Sequence, residues 1–551
     1  MRQPLFVFTL LSLALAAIAP PAVAAACAEA LDVAAPVLAN GFAADRRNTR
    51  RYASAITADN VATLRLAWID VAAGSTEKRG TPAVTEQAVF FSAGRRIVAA
   101  DRRSGCRYWE YEIPAKTTPL VGSNAVRSSA IYFVAPDGDR PALVLAGDFY
   151  GNFYALNAAD GRLRWSRFLG TERDHHMITG APQLADGKLL VPVSSKEVLS
   201  TIVELLRPCC SSHGLLQALD PYTGTTLWTY HATADAKYQF GSGKMAPNGV
   251  SLWGTPAVDL ARRRIYVGTG QNLTPPTTDN SDAVLALDLD SGAPLWTFQA
   301  TAGDAFNVGC ELNALLGFDC VRPGGPDFDF GAPPMLVHTS AGDAVIAGAK
   351  NGVVYSLDPD RGTPNWSRRV GAGGTLGGIH WGMASDEARV YVAVSDVTTR
   401  KSSGLSIGQR LEKAQITPVE GARPGIYALD AASGALLWET HPTHLADGVP
   451  TPSIYSAALS LSNDLLFAGA LDGELLALRA SDGTERWRYA SAVPVTGVDG
   501  SAGNGGTIDS VGAIAAGDNL LLNSGYDTFG SRNAYQAGPG NALYVWRLPP
   551  P

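Results

Sequence analysis

Apolar and polar residues alternate along most of this chain in short runs, and the runs come in pairs joined by a polar turn that ends in glycine. Tyr154–Gly161 leads to Trp165, Leu219–Gly224 to Trp228, Leu287–Gly292 to Trp296, Leu357–Gly362 to Trp366, Leu429–Gly434 to Trp438 and Leu478–Gly483 to Trp487. Ala100–Gly105, leading to Trp109, is a looser copy of the same phrase. Alternation with a period of two marks a half-buried strand, and the glycine takes the positive φ that a tight hairpin turn needs. One hairpin cannot bury its own faces, so successive copies must stack. Trp68 carries only the tail of the phrase, Leu66-Ala67-Trp68, and the strand-like run Ala542–Leu548 at the other end of the chain supplies the missing half. Joining the two ends gives an eighth unit and closes a ring. The pattern therefore predicts an all-β fold, an eight-bladed β-propeller closed by pairing of N- and C-terminal strands. The repeated tryptophan is expected between adjacent blades. A linear β-solenoid would use the same hairpins but has no need of a split unit.

Met1–Ala24 reads as a secretory signal, with Arg2 as the charged start, Leu5–Ile18 as the apolar stretch and Ala22-Val23-Ala24 as a small-residue cleavage site. The remainder, 25–551, is expected to be a single propeller in the periplasm or outside the cell. No later segment is apolar enough to span a membrane. A lipid anchor on Cys27 is the lesser alternative, because alanine stands where a lipoprotein signal usually has leucine. About 525 mature residues give about 65 per blade, beyond the ~40–45 of a minimal repeat blade. The surplus must be loops, chiefly Leu190–Gly214, Thr297–Gly331 and Ser367–Gly425, and loops on one face of a propeller are where sites are built. The net charge of −7 is spread without long runs, which excludes an electrostatic case for nucleic acid.

Six cysteines in an exported chain are expected to pair. Cys310 and Cys320 flank a short loop, and Cys27 can reach Cys106. Cys209 and Cys210 are adjacent, and either form a strained vicinal disulfide, remain thiols or bond to separate partners.

Trp253 and Trp381 stand outside the repeat phrase, each just before a predicted innermost strand, at the mouth of the central channel. An indole there can floor a flat ligand, although from spacing alone ordinary packing is the favoured reading. Polar residues fall at equivalent places in other blades: Arg127, Thr179, Glu197, Gln271, Asn272, Asp304, Asn307, Lys350 and Asp509. Carboxylate and amide oxygens together suit a hard cation such as Ca²⁺, while Arg127 and Lys350 suit an anionic ligand. A flat, anionic, metal-bound cofactor would use all of these at once. There is no Cys-x-x-Cys-His haem attachment, no dinucleotide fingerprint and no P-loop.

Several long stretches resemble the quinoprotein alcohol dehydrogenases, eight-bladed propellers that use pyrroloquinoline quinone (PQQ), and within them the polyvinyl alcohol dehydrogenase-like branch. The carriers include Asn40-Gly41-Phe42 with Asn48-Thr49-Arg50, Ile56–Val61, Ile178–Pro182, Pro192–Ser195, Cys209-Cys210, Gly325–Gly331, Gly377–Met383 and Asn523–Tyr526. The resemblance runs from about Asn40 to Leu548. It implies that Trp253 stacks under the quinone and that Thr179 and Ser195 contact the cofactor. Glu197 would be the carboxylate ligand of a Ca²⁺, with Gln271 or Asn272 as amide ligand. Lys350 would lie beside the quinone oxygens, Arg127 near a cofactor carboxylate and Trp381 at the cofactor. In alcohol-oxidising relatives a vicinal disulfide covers the cofactor. Cys209-Cys210 comes from a different blade, so that role carries over by analogy.

One departure concerns the base. Where the family has a Trp-Asp pair this chain has Phe306-Asn307, and an amide cannot accept the alcohol proton, although Asn307 can still bind metal. Asp304 is the substitute expected here, with Asp327 and Asp329 as others. Val198 stands where the branch often has Glu, and Gly309 where lanthanide-using members have a second Asp, which favours Ca²⁺. The fused haem domain common in the branch is missing, so electrons are expected to pass to a separate soluble cytochrome c. The leading expectation is a periplasmic dehydrogenase of secondary alcohols or polyvinyl alcohol. The alternatives are a non-catalytic propeller acting as a periplasmic scaffold, which keeps the same structural phrase, and a propeller hydrolase or lyase, for which no motif speaks.

Overall fold

The computed structural model describes residues 25–550 apart from Glu77, residues 119–121, 124, 172–174, 201–208, 242, 308–323, 401–414 and 526–536. Eight antiparallel sheets of four or five strands are present, one for each expected blade. Seven follow chain order. The eighth takes three strands from the C-terminal part of the chain, Ala513–Ala516, Asn519–Ser524 and Ala542–Arg547, and its outer strand, Arg65–Val71, from the N-terminal part. Trp68 faces Val545 in that ladder, so the ring is closed by the pairing that the split phrase requires.

The repeated phrase turns out to be the joint between blades. The indole of Trp228 donates to the carbonyl of Leu289 in the next blade at 3.3 Å, and Trp296 to Pro359 at 3.1 Å; Trp68, Trp109, Trp165, Trp366 and Trp438 do the same. Each ring lies flat against the turn glycine of the following blade. At Gly292, with φ of +72°, an added Cβ would stand 2.5 Å from Cε3 of Trp228. The glycine therefore meets two demands, a left-handed turn and room for the neighbour's indole. Trp487 precedes the split blade, which has no such turn, and packs instead edge-on against Trp546.

The segment after the first strand runs along the inner edge of the ring. Carbonyls of Arg46, Arg47, Thr49 and Arg50 accept from Val258, Leu336, Ser385 and Leu461, in the inner strands of four successive blades. The Arg50 side chain is wholly buried, donating to carbonyls of Leu459, Phe42 and Val511. Above it, Phe42, Ala43, Ala130, Ala181, Trp381, Ala458 and Val511 form an apolar plug on the axis, with Trp253 packed against it. Cys27 is bonded to Cys106, which ties the N-terminal segment to blade 1. Cys310 and Cys320 lie outside the described residues.

Candidate active site at the mouth of the channel

In every blade two connections reach the same face: the one between the second and third strands and the one leading to the next blade's inner strand. The residues singled out in the sequence lie on these connections, apart from Ser195, which ends the strand Lys188–Ser195. That shared position brings together groups far apart in the chain.

Trp253 is the centre of the cluster. Its ring meets Trp381 edge-to-face at 5.4 Å and His380 at 5.9 Å, and Arg79 stands over Trp381 at 5.1 Å. Its Nε1 donates to Oδ2 of Asp329 at 2.8 Å. Gly331 lies against the indole so closely that a Cβ there would stand 1.9 Å from Cη2. Lys350 pairs with Asp329 at 2.8 Å and Asp327 at 3.1 Å, and its Nζ stands 5.5 Å from the Trp253 ring centroid. Burial opposes the charge on Lys350, but the two carboxylates outweigh it and hold the ammonium above its ordinary pKa. Burial also pushes Asp282 well above the carboxylate range, and it drives His380 well below the usual histidine value. Neither oxygen of Asp282 has a hydrogen-bond partner among the described residues.

Glu197 closes the second part of the cluster. One oxygen accepts from the backbone N–H of Ser212 at 2.6 Å and its Oγ at 2.5 Å, the other from the N–H of Ser211 at 3.1 Å. Burial raises its pKa, and the Ser212 bonds oppose that rise. Ser212 Oγ also meets Ser195 Oγ at 2.7 Å, and the N–H of Ser195 donates to Ser251, two residues before Trp253. Thr179 Oγ1 lies 3.0 Å from Ser194 Oγ in the same loop group. Cys209 and Cys210, immediately before Ser211, are bonded to each other and pack on Leu273 and Val198.

The amides divide. Gln271 donates weakly to the Phe306 carbonyl at 3.3 Å. Asn272 is already partnered within the protein: its oxygen accepts from Thr278 at 2.8 Å and its nitrogen donates to the carbonyl of Asn248. Asn307 donates to the Leu273 carbonyl at 3.0 Å. Asp304 does not meet Lys350; its Oδ2 accepts from the N–H of Phe328 at 2.9 Å, bracing the segment that carries Asp329. Burial pushes it up to about 6. Arg127 leads into the second blade, two before the one that Trp253 enters, and stands 4.7 Å from the Phe149 ring centroid, beside Tyr150 and Lys196. Asp509 is farther round the ring and accepts from Ser456, which also bonds His380. Arg79, His380, Lys196 and Asp282 were not singled out from the sequence. Arg79 had a usable signal, since it occupies the same pre-strand place as Arg127 and Trp253.

A cavity of about 740 Å³ also opens on the opposite face, lined by Arg46, Tyr132, Gln183 and His338 among others. None of the clustered residues lines it.

The chain matches the family described as glucose/ethanol/alcohol dehydrogenase, β-propeller domain, PQQ, over residues 42–377. It is 31% identical over 537 residues to a polyvinylalcohol dehydrogenase from Pseudomonas sp, covering 94% of this chain and 78% of that protein. It is 31% identical to a polyvinylalcohol dehydrogenase from Sphingopyxis sp. (strain 113P3), covering 88% and 72%. The quinohemoprotein alcohol dehydrogenase of Comamonas testosteroni superposes with a TM-score of 0.67 over 93% of this chain and 80% of that one, at 18% identity. The chain belongs to the PQQ-dependent alcohol dehydrogenases, in their polyvinyl alcohol dehydrogenase-like branch.

Proposed function

We propose that this protein oxidises secondary alcohols, including the repeating units of polyvinyl alcohol, with PQQ and Ca²⁺ in the periplasm, and passes electrons to a soluble cytochrome c. The observation that carries the reading is the meeting of Trp253, Asp329 and Lys350 at the top of the axial plug. A floor of indole, a carboxylate and a buried cation are the groups that a planar, anionic oxidant and an alcohol require together. The glycines packed against Trp253 fit this reading, because Gly331 and Gly270 keep side chains off the indole. Among the described residues no three His, Cys, Asp or Glu side chains gather as a metal centre. A hard cation would therefore draw on mixed oxygens, with Glu197, Gln271 and Asn307 as the protein's share. The Thr278 bonds to the oxygen of Asn272 argue against it as the amide ligand.

When bound, PQQ supplies the two-electron oxidant and Ca²⁺ the Lewis acid. The protein's part is positioning and proton transfer. Trp253 would hold the flat group against its indole. Lys350 and the indole N–H fix both oxygens of Asp329, and we assign Asp329 as the general base that takes the hydroxyl proton of the alcohol. Asp304 positions that base through Phe328. The amide of Asn307 has no proton-accepting role. The apolar plug closes the axis beneath the cluster and keeps bulk water from reaching it from below.

The test is a comparison of Asp329→Asn with Asp304→Asn in dye-linked alcohol oxidation. Loss of the base should lower kcat by about 10²–10⁴-fold, with PQQ binding, read by tryptophan quenching, retained. Asp304→Asn should lose much less. The reverse ranking would return the base to Asp304.

A further inference from the structure

Paired strands rise from the connections on the mouth face: Thr117–Thr118 with Gly122–Ser123, Lys237–Gln239 with Lys244–Ala246, Val397–Arg400 with Gln415–Pro418, Thr443–Ala446 with Val449–Pro452, and Pro494–Thr496 with Ala502–Asn504. With the turn after Gln239 they carry the most exposed large apolar side chains among the described residues: Phe240 at 93%, Leu445 at 73% and Val449 at 61%. Such side chains usually mark a surface that binds something when they gather beside a site. Tyr238 and Phe240 form an edge-to-face pair at 5.2 Å, so the two rings present a shaped platform rather than two loose groups.

This platform is fastened to the candidate active site. At the base of its hairpin the N–H of Met245 donates to the carbonyl of Cys209 at 3.0 Å. Just beyond, Asn248 Nδ2 donates to the carbonyl of Cys210 at 3.1 Å and Asn248 Oδ1 accepts from Leu273. The Asn248 carbonyl accepts from Asn272. One hydrogen-bonded seam thus joins the aromatic hairpin, the vicinal disulfide and the Gln271–Leu273 loop. The hairpin Thr443–Pro452 leads to Tyr455 and Ser456, the second of which bonds His380 at 2.8 Å beside Trp253.

We propose that the hairpin carrying Tyr238 and Phe240 forms a docking rim for the extended chain of a polymeric secondary alcohol, with those two rings as the principal contact. The inference rests on the alcohol dehydrogenase reading and adds the place where the unreacted part of the substrate lies. A chain of alternating methylene and hydroxymethine groups has an aliphatic edge for aromatic rings and hydroxyls for polar neighbours. The rim supplies both, since Gln239, Lys237 and Lys244 share the hairpin with the rings. A small alcohol enclosed at Trp253 would not extend to it.

The test uses the full mature protein with Tyr238→Ser/Phe240→Ser, both at exposed positions where folding asks little of them. With PQQ, Ca²⁺ and an artificial dye as acceptor, KM for polyvinyl alcohol should rise about tenfold, while kcat/KM for pentane-2,4-diol stays within about twofold. In parallel, calorimetric binding of polyvinyl alcohol to a Glu197→Ala background should weaken by the same factor when the rings are removed. Equal loss on polymer and diol would overturn the proposal in favour of a structural role. Unchanged polymer KM and binding would overturn it outright. A loss seen only when a cytochrome replaces the dye would make the rim an acceptor surface. If the parent oxidises neither substrate, the alcohol dehydrogenase reading fails, and the binding arm still decides whether the rim holds polymer.

Discussion

Asp304 links the buried cluster to pH. It is 1% exposed, and one of its oxygens has no hydrogen-bond partner among the described residues. Burial first, and then the charge of Asp329, raise its pKa from 3.8 to about 6, against the pull of the Phe328 N–H and Lys350. The folded protein therefore holds this proton up to about pH 6, whereas the unfolded chain releases it near 3.8. Folding favours the protonated form, so stability is greatest at low pH for this group and falls as pH rises from about 4 through about 6. The rise from 3.8 to about 6 corresponds to about 3 kcal/mol. Asp304→Asn removes the titration and keeps an acceptor for the Phe328 N–H. Urea unfolding of apoprotein, followed by tryptophan fluorescence, should show parent and variant close together at pH 4. By pH 7 the variant should be the more stable by up to about 3 kcal/mol. Distant carboxylates contribute equally to both proteins and cancel in the difference, whereas Asp282 and Asp327, which the Asp304 charge pushes up, are eased in the variant and add to its advantage at pH 7. A stability difference that does not change between pH 4 and pH 7 would refute the reasoning.

Two further predictions concern the packing. Gly292→Ala should destabilise by ~1–2 kcal/mol from the left-handed backbone alone, and by more once Trp228 is displaced. Gly187→Ala, at a similar φ of +71° but with nothing within 4 Å, should lose only the backbone part, and equal midpoints for the two would argue against the indole contact. Lys350→Met strands Asp327 and Asp329 and should cost about 3–5 kcal/mol. Lys350→Met/Asp327→Asn should recover part of that in chemical denaturation, and no recovery would contradict the ion-pair account.

The architecture was legible because its signal is local. Each copy of the phrase holds a strand, a turn glycine and a tryptophan within a dozen residues, and Trp68 without its partner strand is visible as an incomplete copy. The site was legible only as positions, since convergence on the axis depends on how eight blades close. Thus Trp253, Lys350 and Glu197 were named from the sequence, while the pairing of Lys350 with both Asp327 and Asp329 was not. The base illustrates the limit. Asp304 and Asn307 stand nearest the family's motif in sequence, whereas the proposed base, Asp329, is marked out only by its contacts with Lys350 and the Trp253 N–H. Asn48 and Arg50 were visible as part of a resembling stretch, but not what they do, for a related reason: their partners are carbonyls of Leu459, Val511, Thr255 and Pro334, distant in sequence.

The most direct measurement is dye-linked oxidation of secondary alcohols and polyvinyl alcohol by the purified mature protein, with PQQ and Ca²⁺ added singly and together, and with Glu197→Ala alongside. The account predicts turnover only when both are present, and its loss in Glu197→Ala. Absence of turnover together with absence of PQQ binding would contradict it and leave a propeller that uses its mouth for binding alone.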